Sequence, residues 1–420
     1  MKIRLFIYII FFKILLCQTS SLAMYGFGEY IDSYDASSVA LGDINLFTSS
    51  KQGLVLASPS SFSKIDYSNL SMTVGFNNLD SKGFDNFSSN NFSLFSFIFP
   101  INKNISFDLG MNPVLRSDLF VEQKNYSYIG ANESDFDYNN DGLNDPLAYK
   151  TNYDILGCIS EFNISLSNQF NENFAFGLKI GRLFGTNSKD YVVNYFVPIF
   201  NDDGSIGTYI FQNSLTVYRQ DLFEYSSLSY QFDIRTSFEG HDFVFLYNFS
   251  DPINVKLNSS YNSIGSAEEV DFYSNSGSKK YSLGYKNNIT DNFGFIFELN
   301  NIEAFNNIDY LNIFNDDGPD INSIHAGFFY KYYNKKNKWN NIDYRFGFYS
   351  KKYEFNLVDI YDKGLTFGLG FEYLDINSFS IALKYGFRDS EFHEFRDERY
   401  LNLYLSTNTG ENWFLNQGRK

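Results

Sequence analysis

The feature that most constrains this chain is a two-residue alternation of apolar with small or charged side chains. In residues 365–373, Leu, Phe and Tyr occupy every second position, and Thr, Gly and Glu lie between them. After a turn at 374–378, residues 379–387 repeat the pattern. Similar segments begin near residues 70, 92, 105, 162, 174, 228, 281, 293, 324, 344 and 401. Successive side chains of a β-strand point to opposite faces, so the pattern predicts an all-β chain.

The composition of the two faces separates a membrane barrel from a soluble β-sandwich, which also alternates. Phe, Tyr and Leu dominate the apolar face, and aromatic residues make up 20% of the chain. A lipid-facing band with aromatic girdles has this composition, and the opposite face, with Gly and charged residues, predicts a crowded polar lumen. Strands of the length that spans a membrane then give a transmembrane antiparallel β-barrel of about 14 strands.

The connections between predicted strands alternate in length, as expected of periplasmic turns and longer extracellular loops. The short connections include Pro100–Asn104, Asn168–Asn173, Asn287–Asn292 and Leu374–Ser378, and the long ones include 113–154 and 302–321. Residues 189–200 and 207–222 are predicted to prolong two strands beyond the membrane into a hairpin. The barrel is predicted to occupy 65–414, with a C-terminal tail at 415–420.

Residues 1–23 have the features of a secretory signal peptide. Lys2 and Arg4 form a basic end, residues 5–16 are mostly apolar, and Ser21-Leu22-Ala23 has small residues at the cleavage positions. Removal of three basic residues from 33 leaves 30 Lys and Arg against 49 Asp and Glu, a net charge of −19. This charge repels a phosphate backbone, so a nucleic-acid partner is not expected.

Residues 24–64 precede the first predicted strand and do not alternate. A lumen about fourteen strands wide is too large for wall side chains alone to fill, so this segment is predicted to be a plug. It contains a stretch beginning Asp35-Ala36-Ser37 and ending at Gly42, and later the sequence Ser58-Pro59-Ser60-Ser61.

These stretches resemble the plug motifs of the FadL/TodX-like and PorV/PorQ-like outer-membrane β-barrels. The first motif of that group ends in two glycines and the second begins with Asn-Pro. Here Asp43 replaces the second glycine, and Ser58 replaces the asparagine. The hairpin at 364–388 is also similar to the penultimate strands of the group.

The resemblance implies a bacterial outer-membrane barrel in contact with lipid that needs no cofactor. The FadL-like branch passes hydrophobic molecules through a plugged barrel and releases them through an opening in the wall. The PorV-like branch serves protein secretion. Passive transport of fatty-acid-like molecules is therefore expected, and the alternative is a secretion accessory or structural barrel that binds a protein partner. Glycines inside strands, such as Gly177 and Gly181, suit either a wall opening or close packing against the plug.

The inward faces are predicted to carry charges of both signs. These residues are Arg235, Lys256, Lys286, Glu298, Arg345, Glu372, Lys384 and Arg388. They are expected to pair with one another and with the plug; the alternative is a site for a substrate carboxylate, since charge inside a barrel sets selectivity.

One acidic loop has the spacing of a calcium site. Asp137, Asn139, Asp141 and Asp145 lie at positions 1, 3, 5 and 9 of a calcium-loop pattern whose position 6 is a glycine. The glutamate usual at position 12 is missing, so a solvated acidic loop is the alternative. No nucleophile elbow, zinc motif or phosphate loop occurs in the sequence, and an enzyme is not expected.

Overall fold

The computed structural model describes residues 22, 28–31, 33, 35–49, 55, 57–81, 87–122, 125–130, 134, 137, 142, 144–201, 206–211, 216–261, 264–273, 276–305, 318–332, 341–355, 358–373, 376–390 and 397–411. The strands are β1 (Glu29–Tyr30), β2 (Ser68–Ser81), β3 (Phe87–Pro100), β4 (Ile105–Glu122), β5 (Ser127–Ile129), β6 (Leu147–Asn171), β7 (Phe174–Phe200), β8 (Ile206–Phe211), β9 (Val217–Phe238), β10 (His241–Ser250), β11 (Asn254–Tyr261), β12 (Ile264–Tyr273), β13 (Lys279–Asn288), β14 (Phe293–Glu303), β15 (Asp320–Tyr332), β16 (Ile342–Glu354), β17 (Asp359–Tyr373), β18 (Asn377–Ser390) and β19 (Glu398–Glu411). A short helix, α1 (Ala36–Ala40), and a 3₁₀ helix (Pro59–Lys64) precede the barrel. None of the helices in these ranges has the length and apolar character needed to cross a membrane.

The strands close into one antiparallel barrel of 14 wall strands, which confirms the predicted fold class. The last strand, β19, pairs with β2 along its whole length, from Glu398–Ser81 to Glu411–Ser68. Two wall strands are each interrupted and therefore consist of two elements. One is made of β10 followed by β11, and its neighbour is made of β12 followed by β13. The short strands β5 and β8 extend the wall beyond the barrel, and β1 comes from the segment inside the barrel.

The outward faces carry the apolar rows read from the sequence. Phe367 is 47% exposed and Tyr385 is 51% exposed, whereas the inward Thr366 and Lys384 are buried. A sandwich would bury the aromatic rows between two sheets, so the exposed rows exclude it. The described part of the segment before β2 lies inside the lumen and packs on the wall.

Of the predictions about connections between strands, one is confirmed and one is wrong. The predicted hairpin beyond the membrane is present, because β7 runs on to Phe200 and turns back into β8. The predicted long loop at 113–154 is wrong, since β4 continues to Glu122 and β6 begins at Leu147. The ladder between β4 and β6 shifts register around Val114, and a bulge of this kind hides the two-residue period.

Lys256 does not face the lumen, which corrects its prediction. Its neighbours Val255 and Leu257 are buried on the inner face of β11 instead. Between β10 and β11, the residues 251–253 lie opposite only two residues of β9. One extra residue reverses every later side chain, so a pattern extended across this bulge assigns the wrong face.

We expect Phe367→Arg to destabilise the barrel by roughly 2–4 kcal/mol in a lipid bilayer, because it places a charge in the middle of the lipid-facing row. Denaturant titration in vesicles, followed by the gel mobility of unheated samples, measures this free energy. The matched variant Phe367→Leu keeps an apolar side chain and should change it little. Equal stability of the two variants would contradict the assignment of this face to lipid.

Candidate functional site

Helix α1 docks on the inner wall through small residues and a cap. Asp35 accepts hydrogen bonds from the backbone N–H groups of Ser37, at 2.7 Å, and Ser38, at 3.0 Å. The N–H of Ala36 donates to the Ser406 hydroxyl of β19 at 2.7 Å. Ala36 and Ala40 are fully buried. The side chains are small because the backbone of α1 lies directly against the wall.

The turn after α1 approaches the wall still more closely. Gly42 has φ of +89°, and a Cβ at this position would lie 2.6 Å from the Phe348 carbonyl of β16. Gly327 and Gly347, which are paired on β15 and β16, leave the space that the turn occupies. Asp43 also has a positive φ, of 62°, a conformation that Asp tolerates better than most residues. The family's second glycine would adopt it without strain.

The Asp43 side chain gives this departure from the motif a structural role. Its carboxylate binds Lys351 of β16, with Nζ 3.1 Å from Oδ2, and also Lys384 of β18. The Ser33 hydroxyl donates to its Oδ1 at 2.7 Å. Burial alone would raise the pKa of Asp43, but the two ammonium groups outweigh it and hold the pKa well below its ordinary value. Asp43 therefore fixes the turn to two wall strands.

Beyond the turn, wall charges pair with the plug backbone. Glu298 accepts hydrogen bonds from the N–H groups of Asn45–Leu46 at 2.8 and 2.9 Å. Arg235 donates to the Leu46 carbonyl at 2.7 Å, and Lys286 donates to the Thr48 carbonyl at 2.9 Å. These side chains satisfy backbone groups that have no helix or strand partner in this stretch.

Two arginines add further contacts between the wall and the lumen segment. Arg345 of β16 donates to the Ser49 hydroxyl at 2.7 Å. Arg388 of β18 pairs with Glu29 of β1 and with Asp362 of β17, the latter at 3.0 Å. Both arginines are almost fully buried.

The 3₁₀ helix docks on the opposite wall. Its capping residue Ser58 donates to Asp233 Oδ2 at 2.8 Å, and the Ser60 N–H donates to the same oxygen at 3.1 Å. Pro59 occupies the first position of the helix, where no N–H is needed. A Cβ on Gly177 of β7 would lie 2.5 Å from the Ser60 nitrogen and 2.7 Å from Pro59 Cβ. Gly177 therefore gives room to the plug.

The predicted lumen charges thus lie where plug docking requires them. Apart from Lys256, which faces outward, only Glu372 differs among these predicted residues, since it lies half-buried at the turn end of β17. Gly181 packs closely against Glu161, since a Cβ at this position would lie 2.6 Å from Oε1 of Glu161. Like Gly177, it therefore does not mark an opening in the wall. The arrangement favours docking over a substrate-carboxylate site for these residues.

Nearer the long-loop end the inner wall is apolar, so the predicted crowded polar lumen is confined to the lower part of the barrel. The buried residues of this upper cluster are Leu115, Ile159, Leu183, Phe223, Tyr225, Ile253, Val255, Leu257 and Phe305. The sequence pattern did not identify this cluster, because the strands at this height extend beyond the apolar band of the membrane. The neighbouring residues that face outward, such as Arg182, Leu222 and Glu224, are a mixture of charged and apolar residues. The alternation that identified the lower wall is therefore absent.

The wall has a gap between β3 and β4. Their ladder ends at the pair Phe95–Met111, although β3 continues along β2 and β4 continues along β6. Each strand has a bulge at this height, at Ser93 in β3 and at Val114 in β4. Bulges bend a strand and end its pairing, so two of them at one level separate the strands.

Strand β1, which we call the strap, lies in this gap. Glu29 is opposite Arg116 and Tyr30 is opposite Leu115, on the edge of β4 that β3 leaves free. The Ile31 N–H donates to the Val114 carbonyl at 3.0 Å. Tyr30 also packs against the upper cluster, and Glu29 pairs with Arg388 of β18. The strap therefore links the gap, the upper cluster and β18.

One cavity borders the strap, and a second lies beside the bulge of β4 next to it. An inner cavity of about 70 Å³ is lined by Tyr30, Val114 and Leu183 together with the buried ion pair Lys179–Glu161, whose atoms are 2.7 Å apart. An outer, mainly apolar cavity of about 380 Å³ is lined by Phe92, Met111, Pro113, Arg116 and Leu156, among others. The two cavities share the bulged stretch of β4, since Val114 lines the inner one and Pro113 and Arg116 line the outer one.

The predicted calcium loop is described in part. The Gly142 N–H donates to Asp137 Oδ2 at 2.9 Å, and Gly142 has φ of +85°. Asp145 is buried, whereas Asn139 and Asp141 lie outside the described residues. Within the described ranges, no three acidic, His or Cys side chains form a metal-binding group. The calcium site stays a prediction, as do the signal peptide, of which only Leu22 is described, and the tail at 415–420.

The fold and the site define a plugged, 14-stranded barrel of the outer-membrane type with a gap in its wall. A family model described as BamG matches residues 1–418, and the chain belongs to this family. No curated protein matches the chain.

Solved structures share the fold at low identity. The CymD monoaromatic hydrocarbon channel is 11% identical, with a TM-score of 0.56 over 94% of this chain and 99% of that one. A FadL homologue from Pseudomonas aeruginosa is 12% identical, with a TM-score of 0.54 over 91% and 99%. The toluene transporter TodX from P. putida is 12% identical, with a TM-score of 0.51 over 90% and 99%. The resemblance to the FadL/TodX-like group is confirmed at the level of the fold.

We expect Asp43→Asn to loosen the plug. The amide tolerates the same positive φ but leaves two buried ammonium groups without a counter-charge, which costs about 3–5 kcal/mol. Limited proteolysis and hydrogen exchange of residues 35–49 in micelles should both become faster. Asp66→Asn, at an exposed position just before β2, is the matched control. Unchanged protection of 35–49 would contradict the anchoring role of Asp43.

If the acidic loop binds calcium, Asp141→Ala should remove the heat of binding seen by titration calorimetry at millimolar calcium. Asp145→Ala should weaken binding less, because position 9 often acts through a water molecule. No heat with the unaltered protein would exclude the site and leave a solvated acidic loop.

Proposed function

We propose that this protein passes hydrophobic small molecules, of the fatty-acid type, passively across the outer membrane and releases them sideways through the gap between β3 and β4. The observation that carries the proposal is the gap itself, which is closed by a two-residue strap and has a mainly apolar cavity beside it. The proposal requires no catalysis and no cofactor. The fold, which is shared with channels described as carrying monoaromatic hydrocarbons or toluene, is compatible with it.

The route follows from the two kinds of inner wall. A hydrophobic molecule entering from the long-loop end meets the upper cluster, where apolar side chains replace water. Below this level the lumen is occupied by the plug and its buried ion pairs. The strap therefore borders the one described exit that leads from apolar surface to lipid.

The inner cavity can orient an amphipathic ligand. It combines apolar walls with the buried Lys179 and Glu161, as a site for an amphipathic molecule requires. Its volume of about 70 Å³ is far below the roughly 300 Å³ of a ligand pocket, so passage requires the strap to move. Two ladder positions and one further hydrogen bond hold the strap to β4, and Glu29 holds it to β18.

A disulfide that locks the strap to β4 tests this route. Tyr30 and Leu115 are directly paired, and antiparallel partners have Cα separations of about 4.5–5.5 Å, which a disulfide spans. In a Cys158→Ser background, the Tyr30→Cys, Leu115→Cys pair should reduce uptake of a labelled long-chain fatty acid to the level of cells without the protein. A reducing agent should restore uptake.

The matched control is a disulfide between two wall strands away from the gap. Tyr344 and Leu369 are paired on β16 and β17, and Tyr344→Cys with Leu369→Cys should leave uptake unchanged in either redox state. Uptake that persists through the locked strap would refute the sideways route. An absence of uptake by the unaltered protein would refute transport of this substrate class altogether.

A second candidate function is that of a secretion accessory or structural barrel that binds a protein partner. One observation favours it, namely the sheet that β5 to β8 form beyond the barrel. This sheet has no role in the sideways route.

A further inference from the structure

Strands β5 to β8 build a small sheet beyond the barrel, which we call the outer sheet (127–129, 147–150, 194–200 and 206–211). β5 pairs with the beginning of β6, β6 pairs with β7, and β7 pairs with β8. β7 has 27 residues. At about 3.3 Å per residue and the usual tilt, Phe196 lies on the order of 50 Å from the short-turn end, well above an apolar band of about 25 Å. The outer sheet is therefore clear of lipid tails.

One edge of this sheet has no strand partner in the described residues. β8 pairs with β7 alone. The strand that would come next, β11, ends at Tyr261 opposite Arg219, below β8. The free edge consequently presents a row of backbone N–H and C=O groups.

The sequence of β8 lacks two of the devices that usually protect such an edge, namely charged residues and proline. It reads Ile-Gly-Thr-Tyr-Ile-Phe, without a charge or a proline. Ile206, Ile210 and Phe211 are 40%, 49% and 45% exposed, so apolar side chains are accessible on both faces of the strand. A short, exposed, apolar edge of this kind is a template for another strand.

The outward face of the outer sheet adds an aromatic surface beside that edge. Tyr126 meets Phe196 edge-on with ring centres 4.9 Å apart, and Phe196 lies 5.6 Å from Phe211. Tyr209 lies 5.5 Å from Tyr128, which is 61% exposed. Aromatic faces of this kind pack against apolar side chains and attract cations.

Charge identifies the partner that this surface fits. The segments 120–150 and 190–218, which contain the outer sheet, have nine Asp and Glu residues against two Lys residues. Lys150 already lies 4.7 Å from the centre of the Tyr126 ring, which is a cation–π contact within the sheet. An incoming strand that carries Lys or Arg residues on one face would reduce this negative charge.

We infer that β8 is a docking edge for an extended, basic segment of another protein, which adds to the outer sheet as a further strand. Its backbone pairs with β8, its apolar or aromatic side chains pack on Tyr209 and Phe211, and its basic side chains face the acidic segments. This inference deepens the second candidate function and is independent of transport, because binding is measured without uptake.

The test uses the full chain in non-ionic micelles and a fluorescent peptide, Lys-Val-Lys-Tyr-Lys-Val-Lys-Tyr-Lys. We expect saturable binding by fluorescence anisotropy and slower hydrogen exchange of residues 206–211. A peptide in which three of the apolar residues are proline has the same charge but cannot pair as a strand. It should bind at least about tenfold more weakly and leave the exchange unchanged.

Two double variants locate the site. Tyr209→Ser with Phe211→Ser should weaken binding by about tenfold or more. Phe170→Ser with Phe238→Ser removes two rings that are 61% and 60% exposed near the short turns, and should have no effect. Circular dichroism and heat-modifiable mobility check that all variants fold.

The inference is overturned by any of three results. These are an absence of saturable binding at millimolar peptide, equal binding of the proline peptide, and equal binding by the Tyr209, Phe211 variant. Slower exchange of 206–211 with purified lipopolysaccharide, but not with the peptide, would assign the surface to outer-leaflet sugars and overturn it as well.

Discussion

Polar groups that enter the lumen of this barrel must find partners there, because a buried group without a hydrogen bond costs several kcal/mol. The described residues of the lumen segment form one helix of five residues and one short 3₁₀ helix, so most of this described backbone lacks regular partners. The wall supplies them from far along the chain, as when Glu298 pairs with Asn45–Leu46 or Thr366 donates to the Ala40 carbonyl at 3.0 Å. The inward charges of the late strands are complementary to the plug.

The same requirement explains how the wall gap persists. Where β3 bends away, the edge of β4 is left with unpaired backbone groups next to lipid, which is unfavourable in a membrane. The strap pairs with this edge at Leu115 and Arg116 and so supplies partners for their backbone groups. A longer strand would close the gap more firmly, but two ladder positions are few, and segments with few hydrogen bonds open at low free-energy cost.

The sequence predicts the wall better than the site. Regular alternation, as in 365–387, assigns faces and gives the strand number, because each residue's direction depends only on its neighbours. The prediction fails at bulges, where one residue at Val114 or within 251–253 reverses the faces that follow. The motif comparison locates the plug and singles out Asp43. Its partners Lys351 and Lys384 are about three hundred positions away, and no local pattern links them.

The energetics of the plug decide between two routes for a hydrophobic ligand. A path straight down the lumen separates Asp43 from Lys351 and Lys384 and exposes buried charges, at a cost of about 3–5 kcal/mol for each broken pair. A path through the wall displaces the strap, which makes about three backbone hydrogen bonds at about 1 kcal/mol each and one ion pair through Glu29. Apolar surface also continues along the second path, from the upper cluster to the outer cavity near Phe92 and Met111. Under the proposed function, the plug directs a ligand sideways because the axial route costs more, and the first residues of the plug are the part of the wall that moves.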